Sequence, residues 1–225
     1  MALYLTPADH ERVSAAVHAA EQHTAGEVVT VVADRSDGYN DVVLAWSAAV
    51  ALLALCVIAT VPDFYLGIVD RLLGHWGHRW MPGEVLALAA FVAFAKFAGM
   101  WLLQLWAPLR YFLIPPTIKT DRTHRRALGL FKVGAERRTA GRTGILIYLS
   151  MQEHRAHIVA DEAIASKVDP AVWGEAMIAM LAELKQGRLA DGMIAAVDRV
   201  GVVLAEHLPR TADDTNELPD RLIEL

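Results

Sequence analysis

Two long apolar runs dominate the hydrophobic pattern of the chain. The first, residues 42–61, contains no charged side chain, whereas the second, residues 85–107, contains Lys96 and Gln104. A helix of about 20 residues rises about 30 Å, which is the thickness of the hydrocarbon core of a bilayer. The pattern therefore predicts a transmembrane hairpin over residues 42–107. The alternative interpretation is a pair of buried core helices.

The segment before the hairpin has the pattern of one helix and one strand. Thr6 and Pro7 are typical of a helix N-cap and first helical position, and we expect a helix over residues 8–22. Residues 27–33 (EVVTVVA) are rich in β-branched side chains and predict a strand. A single helix and strand cannot bury a core, so this strand must join a sheet formed after the hairpin.

The segment after the hairpin predicts the rest of that sheet. Residues 144–151 (GILIYLSM) are continuously apolar, as in a central strand buried on both faces, and residues 155–160 (RAHIVA) follow as its hairpin partner. Helical spacing predicts three further helices, over residues 119–139, from Asp169-Pro170 to Gly187, and over residues 189–204. The order of elements indicates one α/β sheet domain with packed helices.

These patterns divide the chain into four parts. Residues 1–41 and 108–210 together form the predicted sheet domain, and residues 42–107 form the hairpin, with spans at 42–61 and 85–107. Residues 211–225 form an acidic tail that we expect to be loosely attached.

The distribution of positive charge predicts the orientation of the hairpin. The loop of residues 62–84 contains only two Lys or Arg residues, Arg71 and Arg79. The segment 108–150 contains nine Lys and Arg residues, namely Arg110, Lys119, Arg122, Arg125, Arg126, Lys132, Arg137, Arg138 and Arg142. By the positive-inside rule, both termini are expected in the cytoplasm.

The first five cations of that segment are candidates for contact with the membrane surface: Arg110, Lys119, Arg122, Arg125 and Arg126. They directly follow a span, so anionic lipid headgroups are their nearest partners, at about 1 kcal/mol per cation. The net charge of −5 gives no basic footprint for nucleic acid, which we do not expect as a partner.

Lys96 lies near the middle of the second predicted span. A charge at the centre of a bilayer costs about 2.5–3.5 kcal/mol on insertion scales. Two interpretations remain open. In the first, the side chain extends to the membrane surface or the span is slightly offset; in the second, Lys96 makes a buried contact with another protein or lines an ion path. The spans also offer a surface for homo-oligomers.

Acidic residues cluster after the first strand, in the sequence DRSDGYND. Asp34, Asp37 and Asp41 supply the hard oxygen ligands that calcium or magnesium prefers. The spacing is not that of an EF-hand. The alternative interpretation is a solvated loop that leads into the first span.

Several segments resemble the TPM domain family, which includes thylakoid-lumen photosystem-repair proteins and bacterial membrane proteins. They are residues 26–39 (GEVVTVVADRSDGY), residues 127–164 (ALGLFKVGAERRTAGRTGILIYLSMQEHRAHIVADEAI), the helix with Trp173, and EHLPR…NELPDRL near the end. The resemblance implies a roughly four-stranded sheet with helices on both faces, interrupted here by the transmembrane hairpin. It also implies an accessory role in membrane-complex upkeep, with phosphatase or calcium-binding activity proposed for some members.

This chain departs from the family pattern at two places. Relatives with metal or phosphatase activity usually have Asp-Asn-Gly before the second strand, where this chain has Arg142, Thr143 and Gly144. A glycine-rich motif after the next strand is replaced here by Ala160-Asp161-Glu162. Asp161 is either a replacement carboxylate in the same cleft or a cap for the turn that follows.

Two functional hypotheses from different classes follow. The first is a non-catalytic accessory protein on the cytoplasmic face of a bacterial inner membrane, which binds another membrane or membrane-associated protein. The alternative is a metal-dependent phosphatase that uses calcium or magnesium, with Asp34, Asp37 and Asp161 as catalytic candidates. Two pairs of closely spaced histidines are expected to be ordinary surface residues: His75 with His78, and His154 with His157.

Overall fold

The computed structural model describes residues 4–74, 79–134, 143–210 and 220–225. The chain forms two compact units, which we call the sheet unit and the hairpin unit. The sheet unit comprises Met1–Asp37 and Pro116–Leu225, and the hairpin unit comprises Gly38–Pro115.

The described residues form nine helices and four strands. In chain order these are α1 (Pro7–Glu21), β1 (Glu27–Ala33), α2 (Asn40–Thr60), α3 (Pro62–Leu73), α4 (Pro82–Leu103), α5 (Ala107–Leu113), α6 (Pro116–Gly134), β2 (Gly144–Ser150), β3 (Arg155–Ala160), α7 (Glu162–Ala165), α8 (Pro170–Leu184), α9 (Leu189–His207) and β4 (Ile223–Glu224).

The four strands of the sheet unit form one mixed sheet in the order β3-β2-β1-β4. Strand β1 pairs in parallel with β2, and the register runs from Glu27 opposite Gly144 to Ala33 opposite Ser150. Strand β3 is antiparallel to β2, and β4 is parallel to β1. The predicted α/β class and the predicted β2–β3 hairpin are confirmed.

Strand β2 is buried along its whole length, because helices cover the sheet on both faces. Ile145 and Ile147 face a core shared with α1, α8 and α9. Leu146 and Tyr148 face the opposite way, toward Ala127 and Phe131 of α6. Continuous apolarity in β2 thus has its physical cause in two cores, one on each side. Ala127 and Phe131 thus form the packing face of α6.

The two predicted helix caps are both present. Thr6 Oγ1 accepts a hydrogen bond of 3.2 Å from the Asp9 amide, and an Asp9 carboxylate oxygen accepts one of 3.1 Å from the Thr6 amide. At the start of α8, the Asp169 carboxylate accepts from the Ala171 amide at 2.8 Å. These bonds satisfy amides that have no partner inside the helix.

The end of the chain is not loosely attached, so the prediction for the tail is wrong for residues 220–225. Leu222 is buried in the core, and Ile223 and Glu224 pair with Val31 and Val32 as β4. The Leu225 amide donates to the Val32 carbonyl at 3.0 Å. The tail therefore supplies the fourth strand of the sheet. Residues 211–219 lie outside the described part of the chain.

In the hairpin unit, α2 and α4 pack against each other along their lengths. Gln104, which interrupts the second apolar run, is buried at the end of this pair. Its Nε2 donates to the Val43 carbonyl at 3.2 Å and to Ser47 Oγ at 3.3 Å. Since Val43 and Ser47 lie in the first turns of α2, the chain enters and leaves the helix pair at the same end.

The segment between the two long helices was expected to be a loop, but it contains the helix α3. Pro62 at the first helical position and Gly74 with φ of 70° at the end are the sequence signals for this helix. Phe64, Ile68 and Leu72 follow one another at four-residue spacing, and all three are exposed. A short helix α5 follows α4 and was not predicted either.

Glu21 closes α1 and is a buried acid. Its Oε1 accepts a hydrogen bond of 2.8 Å from the Val28 amide, which ties the end of α1 to β1. Burial, together with the nearby charges of Glu27 and Asp220, raises the pKa of Glu21 to about 8. The folded protein therefore holds a proton on Glu21 at neutral pH.

Glu21 makes the stability of the sheet unit depend on pH. Below about pH 4.5 the acid is protonated in both states; between about 4.5 and 8 only the folded state keeps the proton. The free energy of unfolding therefore falls as pH rises through this window, by up to about 5 kcal/mol at about 1.4 kcal/mol per pKa unit.

Denaturant unfolding of the detergent-solubilised chain at pH 5 and pH 8 measures this effect. Glu21→Gln is expected to remove the fall in stability that Glu21 contributes between these pH values, whereas Glu175→Gln, at an exposed position of α8, is expected to leave the wild-type pH dependence unchanged. Equal pH dependence in the wild type and in Glu21→Gln would contradict the assignment.

Candidate functional site

Polar side chains gather where β1 and β2 end. Because these strands are parallel, their carboxyl ends meet at one edge of the sheet, which is the usual binding edge of α/β folds. Asp34, Ser36 and Asp37 follow β1, and Ser150 and Glu153 lie at and after the end of β2. We call the group formed by Asp34, Ser36, Asp37, Ser150 and Glu153 the polar edge.

Glu153 is the buried centre of the polar edge, with 1% of its surface exposed. One carboxylate oxygen accepts from the Ser36 amide at 2.9 Å, and the other accepts from Ser150 Oγ at 2.5 Å. Ser36 Oγ in turn lies 2.9 Å from Ser150 Oγ and 2.8 Å from the Tyr148 hydroxyl. The chain of hydrogen bonds fixes the loop after β1 against β2.

Asp34 is held by two side chains. The Tyr4 hydroxyl and Gln152 Nε2 both donate to Asp34 Oδ1, the latter at 3.2 Å. The hydrogen bond from Tyr4 holds the pKa of Asp34 below its ordinary value, and the same bond raises the pKa of Tyr4. Asp34 is thus an ionised acceptor with one partner, Tyr4, from the segment before the hairpin unit and one, Gln152, from the segment after it.

Asp37 forms an ion pair with a cation from α6. Arg122 Nη1 lies 2.7 Å from Asp37 Oδ2, and the Arg122 side chain is only 22% exposed. The pair connects the loop after β1 with the helix that covers this face of the sheet. Asp34 and Asp37, the two predicted metal ligands of the sheet unit, therefore both have hydrogen-bonding partners within the protein.

Asp161 does not lie at the polar edge, so the predicted catalytic set of Asp34, Asp37 and Asp161 is not assembled. It follows β3, which is antiparallel to β2, and its amide donates to the Gly144 carbonyl at 3.0 Å. Gly144 starts β2, and a seven-residue strand spans about 23 Å. Asp161 and Asp34 therefore occupy opposite ends of the sheet.

Asp161 occupies the N-cap position of α7, but the side-chain cap that one of its two interpretations predicted is not formed. The residue is buried, its carbonyl accepts from the Ala165 amide at 2.8 Å, and its side chain makes no capping hydrogen bond. Asp41, the third metal candidate, lies in the first turn of α2 and belongs to the hairpin unit. Across the described ranges, no group of three or more His, Cys, Asp or Glu residues is arranged to hold a metal.

The cations predicted to contact the membrane surface fall in both units. Lys119, Arg122, Arg125 and Arg126 lie along α6, where Arg125 pairs with Asp121 one turn earlier. Burial lowers the pKa of Lys119, and the charge of Arg155 lowers it further.

Arg110 belongs to the hairpin unit, where it donates to the Gly38 carbonyl and, at 2.9 Å, to Asn40 Oδ1. Arg125 and Arg126 are the exposed members of the predicted set.

His157 is not an ordinary surface residue, in contrast to the prediction. It is half-buried opposite Tyr148 in the β2–β3 ladder, with Nε2 2.8 Å from Thr123 Oγ1 and its ring centroid 5.3 Å from that of His124. Burial lowers the pKa of His157 to about 4, so it is neutral at pH 7. It lines an open cleft of about 550 Å³ with Pro116, Thr117, Thr120, Asp121 and His124.

The sequence RAHIVA could have predicted the partial burial of His157, because side chains alternate along a strand and His157 shares a face with buried Val159. His154 is exposed, at a φ of 51° in the turn before β3. His75 and His78 lie outside the described residues.

Glu153 is expected to act as a structural acceptor. Glu153→Ala leaves the Ser36 amide and the Ser150 hydroxyl without their acceptor, which is expected to lower the free energy of unfolding by about 2–4 kcal/mol. Glu153→Gln keeps one acceptor oxygen and is expected to cost about half as much. Denaturant unfolding measures both; Glu175→Ala, at an exposed position, is the control, and a Glu153→Ala loss no larger than the control would contradict the role.

Comparison with known proteins supports the same fold. The family model described as "TPM domain" matches residues 112–203, which extend from the end of α5 into α9. The solved structure of the BA42 protein from the psychrophilic bacterium Bizionia argentinensis is similar over 100% of this chain and 98% of its own, with a TM-score of 0.57 and 16% identity. No curated protein is similar enough to this chain to count as a match.

The four-stranded sheet with helices on both faces, the family match and the similarity to BA42 agree with one another. Residues 112–203 therefore match the TPM domain family, and the chain as a whole has a fold similar to that of BA42.

Proposed function

We propose that this protein is anchored in a bacterial inner membrane by α2 and α4 and presents its TPM domain to the cytoplasm as a non-catalytic accessory module. Its partner in this proposal is another membrane or membrane-associated protein. The observation that carries the proposal is the exposure of the two apolar helices.

α2 and α4 have 21 and 22 residues, with mean hydropathies of 2.7 and 2.0 over their most apolar windows. Of these windows, only 22% and 0% are buried by the rest of the protein. Core helices of a soluble domain bury such surface inside the fold. A bilayer is the environment in which exposed Leu, Phe and Val side chains on a helix of this length are favourable.

Charge supports the cytoplasmic orientation. The start of α2 and the end of α4 lie at the same end of the helix pair, since Gln104 packs on Val43 and Ser47. The chain that follows α4 is rich in Lys and Arg, whereas the segment between α2 and α4 contains only Arg71 and Arg79. The exposed Arg125 and Arg126 of α6 suit anionic headgroups of the same leaflet.

The contacts of the acidic residues support the non-catalytic role. Asp34 accepts from Tyr4 and Gln152, and Asp37 is paired with Arg122. A phosphatase site needs carboxylates that converge on one metal or phosphoryl group. The third candidate, Asp161, lies beyond the opposite end of β2. A metal-dependent phosphatase is the alternative, and it requires Asp34 and Asp37 to exchange their present partners for calcium or magnesium.

The orientation predicts a labelling pattern for single cysteines. In a Cys56→Ser background, Asp63→Cys in α3 and Ser166→Cys after α7 place one exposed thiol in each unit. An impermeant maleimide applied to intact spheroplasts is expected to label the Asp63→Cys protein and to reach the Ser166→Cys protein only after permeabilisation. The opposite pattern, or labelling of both before permeabilisation, would contradict the proposed topology.

The non-catalytic role predicts no metal-dependent hydrolysis at the polar edge. The purified full-length protein, Asp37→Asn and the control Glu175→Gln are compared on an aryl phosphate with magnesium, calcium or a chelator. All three are expected to give the same background rate under every condition. Metal-dependent turnover that is retained in Glu175→Gln and lost in Asp37→Asn would establish the phosphatase alternative.

A further inference from the structure

Lys96 is an exposed cation inside the apolar helix α4, about two-thirds of the way along it. It lies seven residues before Leu103 and fourteen after Pro82. At 1.5 Å per residue, these separations are about 10 Å to the end of the helix and about 21 Å to its start. Across the described residues, Lys96 makes no hydrogen bond or ion pair, whereas the other polar interruption of this run, Gln104, is fully engaged.

The direction of the side chain opposes an escape to the membrane surface. Side chains on an α-helix lean toward its N-terminus. For Lys96 the nearer end of α4 is the C-terminal one, so the shortest way to headgroups runs against this lean. On insertion scales an unpaired charge costs about 2.5–3.5 kcal/mol at the bilayer centre, and an unpaired ammonium group inside α4 bears part of this cost.

The hairpin unit offers no carboxylate at the depth of Lys96. The acids of its two long helices are Asp41 in the first turn of α2 and Glu84 in the first turn of α4, each near a helix end. A second copy of the chain would add another Lys96 and the same two terminal acids. Homo-oligomers therefore supply no counter-charge at the depth of Lys96. A carboxylate at this depth has to come from a different protein.

The helix surface beside Lys96 is open to a second helix. Gly99 lies three residues after Lys96, on the same face, and a Cβ placed on Gly99 would meet no atom within 4 Å. Close approach of two helix backbones at small residues is the usual packing mode within membranes. The charge thus lies next to a surface on which another helix can pack.

We propose that Lys96 is the recognition point for a transmembrane helix of a different protein that carries an Asp or Glu at the same depth. The proposal rests on the proposed function, in which α2 and α4 span the bilayer. Away from water, such a charge pair with direct hydrogen bonds selects its partner strongly, because an uncharged helix leaves Lys96 unpaired.

Photo-crosslinking in cell membranes tests the proposal on the full-length chain. A benzophenone amino acid replaces Met100, which lies one helical turn after Lys96 on the same face. We expect an adduct with a different protein, mapped by mass spectrometry to a transmembrane peptide that contains Asp or Glu. Lys96→Arg is expected to keep this adduct, and Lys96→Met, which inserts more readily, is expected to reduce it at least tenfold.

A second measurement uses a defined partner. The purified chain is reconstituted in phosphatidylcholine vesicles with a synthetic leucine helix that carries one central aspartate, and association is followed by energy transfer. Association at least tenfold stronger than with the all-leucine helix, lost in Lys96→Met, is expected.

Four outcomes would overturn the proposal: an adduct unchanged in Lys96→Met, an adduct only with a second copy, an adduct to a helix without an acid, or equal association of both synthetic helices. These failures leave the proposed function intact if the cysteine labelling pattern holds. A reversed labelling pattern would instead remove the membrane orientation itself.

Discussion

The parallel pairing of β1 with β2 is the contact on which the rest of the fold depends, because β1 precedes the hairpin unit in the chain and β2 follows it. Seven residue pairs hold them in register, from Glu27 and Gly144 to Ala33 and Ser150. Loop closure over such a separation costs entropy. The helix pair offsets part of this cost, since Gln104 packs on Val43 and Ser47 and returns the chain to the end at which it entered.

The polar edge is a direct consequence of this pairing. Ser36 belongs to the segment before the hairpin unit and Glu153 to the segment after it, yet the Ser36 amide donates to the Glu153 carboxylate at 2.9 Å. The ion pair between Asp37 and Arg122 joins the same two segments. Acids that look like a metal cluster in the sequence serve here to join two distant parts of the chain.

Strong local signals made most of the fold predictable from the sequence. The continuous apolar run of β2 and the caps at Thr6 and Asp169 each specify their element without reference to the rest of the chain. The two-residue strand β4 has no such pattern, because its place is set by pairing with β1 and by burial of Leu222.

The candidate site was less predictable, since it depends on strand direction. Asp161 follows an antiparallel strand and so lies away from Asp34, and His157 is half-buried because α6 covers its face of β3.

A pair of cysteines across β1 and β2 tests the central claim most directly. In a Cys56→Ser background, Val29→Cys with Leu146→Cys joins two residues that are opposite each other in the register, whereas Val29→Cys with Ile147→Cys is displaced by one residue and points to the other face. Mild oxidation followed by mass spectrometry of linked peptides is expected to find a disulfide in the first pair and not in the second. Equal yields from both pairs, or no disulfide in either, would contradict a sheet formed from both sides of the hairpin unit.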